Sequence, residues 1–194
     1  MSTNQIEICR EKINFFGLNN RINVQQLNAL DIDSNIGNYD IVLSEDSFSH
    51  IPHRNVLLDG ICKVVKKNGL LVFSDLVKTN KIKSRELSNQ QKAWRLWDIE
   101  TKDSYVKIIS DSGFKLIDYK INLGKTLLKH HIDKDMANGD CSPDIYLNTL
   151  KNDKKQLLKE WGSFNYYRRY ERLKTYKYIE EGKLDYNYFV AIKD

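Results

Sequence analysis

Glycine is scarce in this chain, and each one stands alone. Nine glycines in 194 residues, at positions 17, 37, 60, 69, 113, 124, 139, 162 and 182, make no GxG. The glycine cradle that lets a backbone close around a phosphate or a cofactor tail is therefore missing. Proline occurs twice, at Pro52 and Pro143, and no Pro-, Ser- or Gly-rich linker divides the sequence, which reads as a single domain over residues 1–194. The three cysteines, Cys9, Cys62 and Cys141, form no CxxC; this excludes a disulfide scaffold and predicts reduced, buried thiols in a cytoplasmic protein. No apolar run approaches the ~20 residues that a bilayer requires, and Met1-Ser2-Thr3 does not open a signal peptide. A soluble cytoplasmic chain with no membrane partner is expected.

The chain is 41% hydrophobic, enough for a sizeable core, but its mean hydropathy of −0.57 describes a very polar surface. The net charge of +5 is spread over Lys-rich segments and reads as a solvated surface. Residues 161–178 interleave five tyrosines with Arg168, Arg169, Arg172, Lys174 and Lys177, a composition that can stack on and neutralise nucleic acid. A helix with extended cations over a partly buried aromatic face explains it more simply, so no nucleic-acid partner is expected.

Metal sites fare no better. Pro52 breaks the helix that would align His50 and His53. The His130-His131 and Asp133–Asp144 region nearly spaces a calcium loop but has Ala137 at a ligand position and Asn138 where glycine is needed.

The informative stretch is residues 38–77. Residues 39–43 are a short apolar run that reads as a strand buried on both faces, breaking abruptly into the polar segment 44–50. Val56, Leu57, Gly60, Ile61, Val64 and Val65 then recur on one helical face, Lys66-Lys67-Asn68-Gly69 ends that helix with Gly69 as its left-handed cap, and residues 70–73 form a second buried strand ending at Ser74-Asp75. Strand, helix, strand implies a parallel pair with a right-handed crossover, whose carboxyl ends share one edge. Ligands bind outside that edge in open α/β sheets.

On either side, residues 2–17 read as a helix with a Ser2/Gln5 capping box, and residues 22–26 as a short strand followed by Leu27-Asn28-Ala29-Leu30-Asp31. Helices are expected over 87–97 and 101–112, a strand over 114–122, and a helical hairpin over 123–183 near the substrate site. That hairpin has Leu147, Leu150, Leu157, Leu158, Trp161 and Phe164 as core contacts.

The order of LSEDSFSH, a helix, KKNG and LLVFSDLV resembles the second half of a class I S-adenosylmethionine-dependent methyltransferase. More narrowly, it is similar to the N-methyltransferases that act on glycine, sarcosine or dimethylglycine to make betaine. SGFKLIDY resembles that family's step into strand six, and LDYNYFVAIKD its last, antiparallel strand. The resemblance implies an α/β, Rossmann-like sheet of order 3-2-1-4-5-7-6, with S-adenosylmethionine as cofactor and a small-molecule amine as substrate. It places Asn28, Ala29 and Leu30 at the adenine, and Ser44 and Glu45 beside the sulfonium and amino-acid end. Phe48 and Asp75 face substrate, and His50 stands as the acid/base or carboxylate contact.

By the same resemblance Met1 falls just past the family's ribose-binding acid, so strands one and two and the glycine loop are not represented. The expectations are that the natural polypeptide is longer, that another chain or a second copy fills the slot, or that strand three re-pairs against strand four. A non-catalytic methyltransferase-like binding protein is the alternative reading.

Overall fold

The computed structural model describes residues 3–120 and 143–194. The Ser2 cap, the His130-His131 pair and most of the Asp133–Asp144 region lie outside them. Helix α1 (Thr3–Phe15) ends at Gly17, whose φ of 66° is the left-handed conformation open to glycine. Only Ile6 of α1 is buried. Phe15 and Phe16 stand exposed, as does Cys9, which was expected to be buried. The amphipathic spacing of α1 is real, but little packs against the predicted stripe.

Residues 22–26 do not form the expected strand. They run extended, without a ladder, into a 3-10 turn at Ala29–Asp31. A strand exists only by pairing, and this segment does not pair with the open edge of the next strand.

That next strand, β1 (Tyr39–Glu45), leads through a 3-10 turn (Phe48–His50) to α2 (Arg54–Val64) and β2 (Val65–Lys78). After β2 come α3 (Ser84–Trp94), α4 (Lys102–Asp111), β3 (Phe114–Lys120), α5 (Pro143–Asn152), α6 (Lys154–Glu180) and β4 (Leu184–Lys193). The sheet order is β1-β2-β4-β3, with β1 parallel to β2, and β4 antiparallel to both its neighbours. This is the 4-5-7-6 portion of the expected order, with the antiparallel last strand in place.

The core lies where α2 and α4 cover the sheet. Phe73 of β2 sits between Phe48 and Phe189, with ring centroids 4.7 and 4.8 Å away, and Tyr105 of α4 closes on the same stack. Each such ring contributes about 1.5–3 kcal/mol by leaving water. A second cluster joins Leu76, Ile99, Tyr178, Ile179 and Leu184 beneath α6.

Three expectations need correction. The first strand is not buried on both faces: Val42 and Ser44 are half-buried, while Tyr39, Ile41 and Leu43 are 43%, 57% and 74% exposed. Residues 29–32 and α2 lie toward one face; among the described residues the other face is open and the outer edge unpaired.

Helix α2 ends at Val64 and β2 follows at once, so Lys66-Lys67-Asn68-Gly69 lies within the strand; its left-handed residue is Asn68 (φ 61°), not Gly69. Gly69 is needed for space, since a Cβ there would stand 2.8 Å from Val65 Cγ1 and 2.9 Å from the Asp40 carbonyl oxygen.

In the hairpin, Leu147 and Leu150 are buried as expected and Leu157, Leu158 and Trp161 half-buried, but Phe164 is exposed. The helical phase of α6 breaks at Gly162 (φ 74°, ψ 160°), two residues before it.

Candidate functional site

The carboxyl ends of β1 and β2 meet as the parallel pairing requires. Glu45 stands opposite Ser74, and the Asp46 amide donates to the Ser74 carbonyl at 2.9 Å. The chain then turns sharply: Asp46 (φ 50°) and His53 (φ 53°) are both left-handed, as is Arg95 (φ 59°), which lies against this turn. Non-glycine residues in that conformation are strained and concentrate where a surrounding structure imposes them. Ser47 Oγ donates to the Glu45 carbonyl at 2.7 Å, and the Ser49 carbonyl accepts the Trp97 amide at 2.8 Å, tying the turn to the segment after α3.

Beneath the turn lies a buried polar layer. Asp75 is fully buried and accepts from the Tyr105 hydroxyl at 2.6 Å and from the Leu76 amide at 2.9 Å. Burial pushes its carboxyl up, against the pull of the Tyr105 and Ser49 hydroxyls and the Leu76 amide; the negative charge of Asp46 adds to the rise. Ser49 Oγ is buried beside it without completing a hydrogen bond of ordinary geometry. Burial likewise raises the Tyr105 phenol, with Asp75's charge as the next cause. Arg54, 5% exposed, completes the layer: Nη1 meets Glu100 Oε1 at 3.0 Å and Nη2 donates to the Asp98 carbonyl at 2.5 Å. A buried guanidinium is tolerable because both partners are present.

At the surface of the turn, Tyr186 donates its hydroxyl to Asp46 Oδ2 at 3.1 Å. Surrounding protein raises the Asp46 carboxyl, against the Tyr186 hydroxyl and the nearby His50, and burial raises the Tyr186 phenol. His50 is exposed, with Nδ1 3.2 Å from the Arg95 carbonyl oxygen. That contact requires hydrogen on Nδ1, which leaves Nε2 of the neutral ring as a base.

The residues singled out in the sequence divide accordingly. Ser44, Glu45, Phe48, His50 and Asp75 come together at one sheet edge. Phe48 is 3% exposed and stacked on Phe73, so it forms the floor of the turn and not its surface. Asp75 is likewise enclosed.

Asn28, Ala29 and Leu30 form the nearby 3-10 turn, where Asn28 Oδ1 accepts the Leu30 amide at 3.3 Å and Ala29 and Leu30 lean on the core. The turn is seated by a close approach: a Cβ on Gly60 of α2 would stand 2.8 Å from the Ile32 carbonyl oxygen.

Sequence reasoning missed Asp46, Ser49, Tyr105, Tyr186 and the Arg54–Glu100 pair. Asp46 and Ser49 lie inside LSEDSFSH and were within reach; Tyr105 and Tyr186 reach the site only through tertiary packing. Among the described residues no group of three His, Cys, Asp or Glu side chains could hold a metal, and no helix is long and apolar enough to cross a membrane.

Comparison with known proteins adds a family and a fold. A family model described as a methyltransferase domain matches residues 1–162. An uncharacterised protein of Haemophilus influenzae is 27% identical over 121 residues, 61% of this chain and 48% of that protein. The chain thus spans about half the length of the curated relative it matches.

Among solved structures, a candidate sarcosine dimethylglycine methyltransferase from Galdieria sulphuraria superposes with a TM-score of 0.73 at 17% identity, covering 100% of this chain and 66% of that one. A geranyl diphosphate methyltransferase in complex with S-adenosylmethionine gives 0.71 at 12% identity, with the same coverage. At these identities the likeness establishes the fold.

Proposed function

The chain belongs to the methyltransferase-domain family, and from that premise we propose that it serves S-adenosylmethionine-dependent methyl transfer to the nitrogen of a small amine of the sarcosine or dimethylglycine kind. The observation that carries this reading is the strained polar turn at the shared carboxyl ends of β1 and β2, where Asp46, held by Tyr186, and His50, held by Arg95, stand over a sealed polar layer. The bound cofactor would supply an electrophilic methyl group.

The residues present fit one wall of a site for it. Ala29 and Leu30 offer an apolar surface to a flat base, with Ser44 and Glu45 at the strand end, but the described residues hold no GxG cradle. The reading therefore includes a second component: polypeptide pairing with the open edge of β1 and carrying that cradle.

The residues of this chain have their own tasks. A protonated amine has no lone pair to offer, so its proton must leave before transfer, and His50 Nε2 is the accessible base. The Asp46 carboxylate, oriented by Tyr186, would favour the positive charge that the nitrogen acquires as the methyl group arrives. Phe48 and Asp75 shape the floor from beneath and keep water out of it.

Calorimetric titration with S-adenosylmethionine, of this chain alone and joined to a preceding stretch that supplies the cradle, tests the reading. Labelled methyl transfer to sarcosine and dimethylglycine follows. Binding and turnover are expected only in the joined form, with His50→Gln lowering turnover by roughly 10²-fold. Micromolar binding by the short chain alone would mean that the cradle is dispensable, and full activity of His50→Gln would remove it from the chemistry.

A second reading is favoured by the exposed Ile41 and Leu43: a non-catalytic protein that receives a partner on β1. Cofactor binding without transfer to any amine in the joined form would favour it.

A further inference from the structure

The helical half of the molecule concentrates positive charge that the strand-end turn does not use. Beyond the break at Gly162, α6 carries Asn165, Arg168, Arg169 and Arg172 at spacings of three and four residues, which places them along one stripe of the helix. With Trp161 and Glu160 they line a cavity of about 480 Å³.

Two of the three arginines are fixed at their inner ends, and the third by one outer nitrogen. Arg168 and Arg172 both donate from Nε to the Ala93 carbonyl near the end of α3, at 3.2 and 3.0 Å, and Arg172 lies over the Trp94 ring with Cζ 4.5 Å from its centroid. Arg169 donates from Nη2 to the Tyr146 hydroxyl at 3.0 Å and covers the Trp161 ring at 5.6 Å. Anchoring through Nε holds a guanidinium plane while leaving its outer nitrogens available, and those form the fork that grips an oxyanion.

Counter-charge is sparse: the carboxylate in the lining is that of Glu160, which accepts from Gln156 Nε2 at 2.8 Å. None of the three arginines makes an ion pair among the described residues, and Glu171, which lies between them in sequence, is committed to Lys174 at 3.0 Å. Burial, then the charges of Arg168 and Arg95, lowers the Arg172 pKa. Like charges held together on rigid supports repel, and a bound anion relieves that repulsion.

We infer that this cavity is a binding site for a phosphate group, carried on a small organic ester or free. One carboxylate, with two oxygens and one charge, engages a single guanidinium fork. A phosphate monoester brings three free oxygens and nearly two charges, which matches three arginines. The volume has room for one small molecule, whereas a nucleic-acid strand needs a continuous track of phosphate contacts. The inference stands apart from the methyl-transfer reading, since it uses none of the strand-end residues.

Calorimetric titration of the full chain with glycerol 3-phosphate, and separately with inorganic phosphate, tests it. A Kd below about 1 mM is expected for at least one of them, weakened at least about tenfold by Arg169→Gln and by Arg172→Lys, and unchanged by Arg21→Gln. Tighter binding of the ester identifies an organic phosphate as the ligand, and equal or tighter binding of the free ion identifies phosphate itself; both support the site. Arg169→Gln leaves the contacts to Ala93 intact, so it reads the site even if Arg172→Lys unfolds. Absence of heat with both probes, wild-type affinity in Arg169→Gln, or an RNA oligonucleotide that binds and is not displaced by glycerol 3-phosphate would overturn the assignment.

Discussion

Asp75 shows how one buried carboxyl sets the pH behaviour of the fold. Its pKa lies above the ordinary value of 3.8 because burial outweighs the hydrogen bonds that favour its charge. Below 3.8 both folded and unfolded chains hold the proton. Between 3.8 and the raised value the folded chain keeps a proton that the unfolded chain has lost, so stability falls as pH rises through that window, and the deficit persists above it. Asp75→Asn removes this penalty and gives the Ser49 hydroxyl a donor that it now lacks. The variant should gain about 1 kcal/mol at pH 7 and nothing at pH 3, read by urea unfolding at the two pH values. A loss at pH 7 would mean that the Tyr105 and Ser49 hydroxyls support the ionised form better than burial opposes it. At this scale the sequence was partly legible. The polarity of LSEDSFSH and SD marked where the site lies, but whether a residue there faces solvent or the core depends on Tyr105 of α4, thirty residues further along the chain.

At the scale of elements, β1 departs most from its sequence. Tyr39, Ile41 and Leu43 have the composition of a strand enclosed on both faces, yet among the described residues one face is open and the outer edge unpaired. An apolar, unpaired edge is a template for another strand. Leu43→Lys, at a side chain 74% exposed, should change stability by less than about 0.5 kcal/mol while suppressing concentration-dependent association in sedimentation velocity. Unchanged association would place the sticky surface elsewhere, for instance at Phe15 and Phe16. Helices α2 and α4 and strands β2, β3 and β4 were legible because each carries its own periodicity and stop signals. The strand expected at residues 22–26 was not, because pairing, and not local composition, makes a strand.

Across the whole molecule, stability is unevenly spread. β2 pairs on both edges and contributes Leu71 and Phe73 to the core, and β4 is held between β2 and β3, whereas among the described residues β1 and β3 are each held from one side alone. Local opening therefore costs least at the edge strands β1 and β3 and most in the central pair. Native-state hydrogen exchange should find amides of β2 and β4 exchanging only through global unfolding. The β1 amides should divide: those bonded to β2 protected to an intermediate degree, those on the outer edge exchanging at nearly the rate of free peptide. Joining polypeptide that pairs with β1 should slow the outer set without altering β2 or β4, since only the edge gains partners. If the outer β1 amides of the short chain are already slow, the edge is covered in solution. A dilution series then separates a second copy, whose protection fades with concentration, from coverage by the chain itself, whose protection does not.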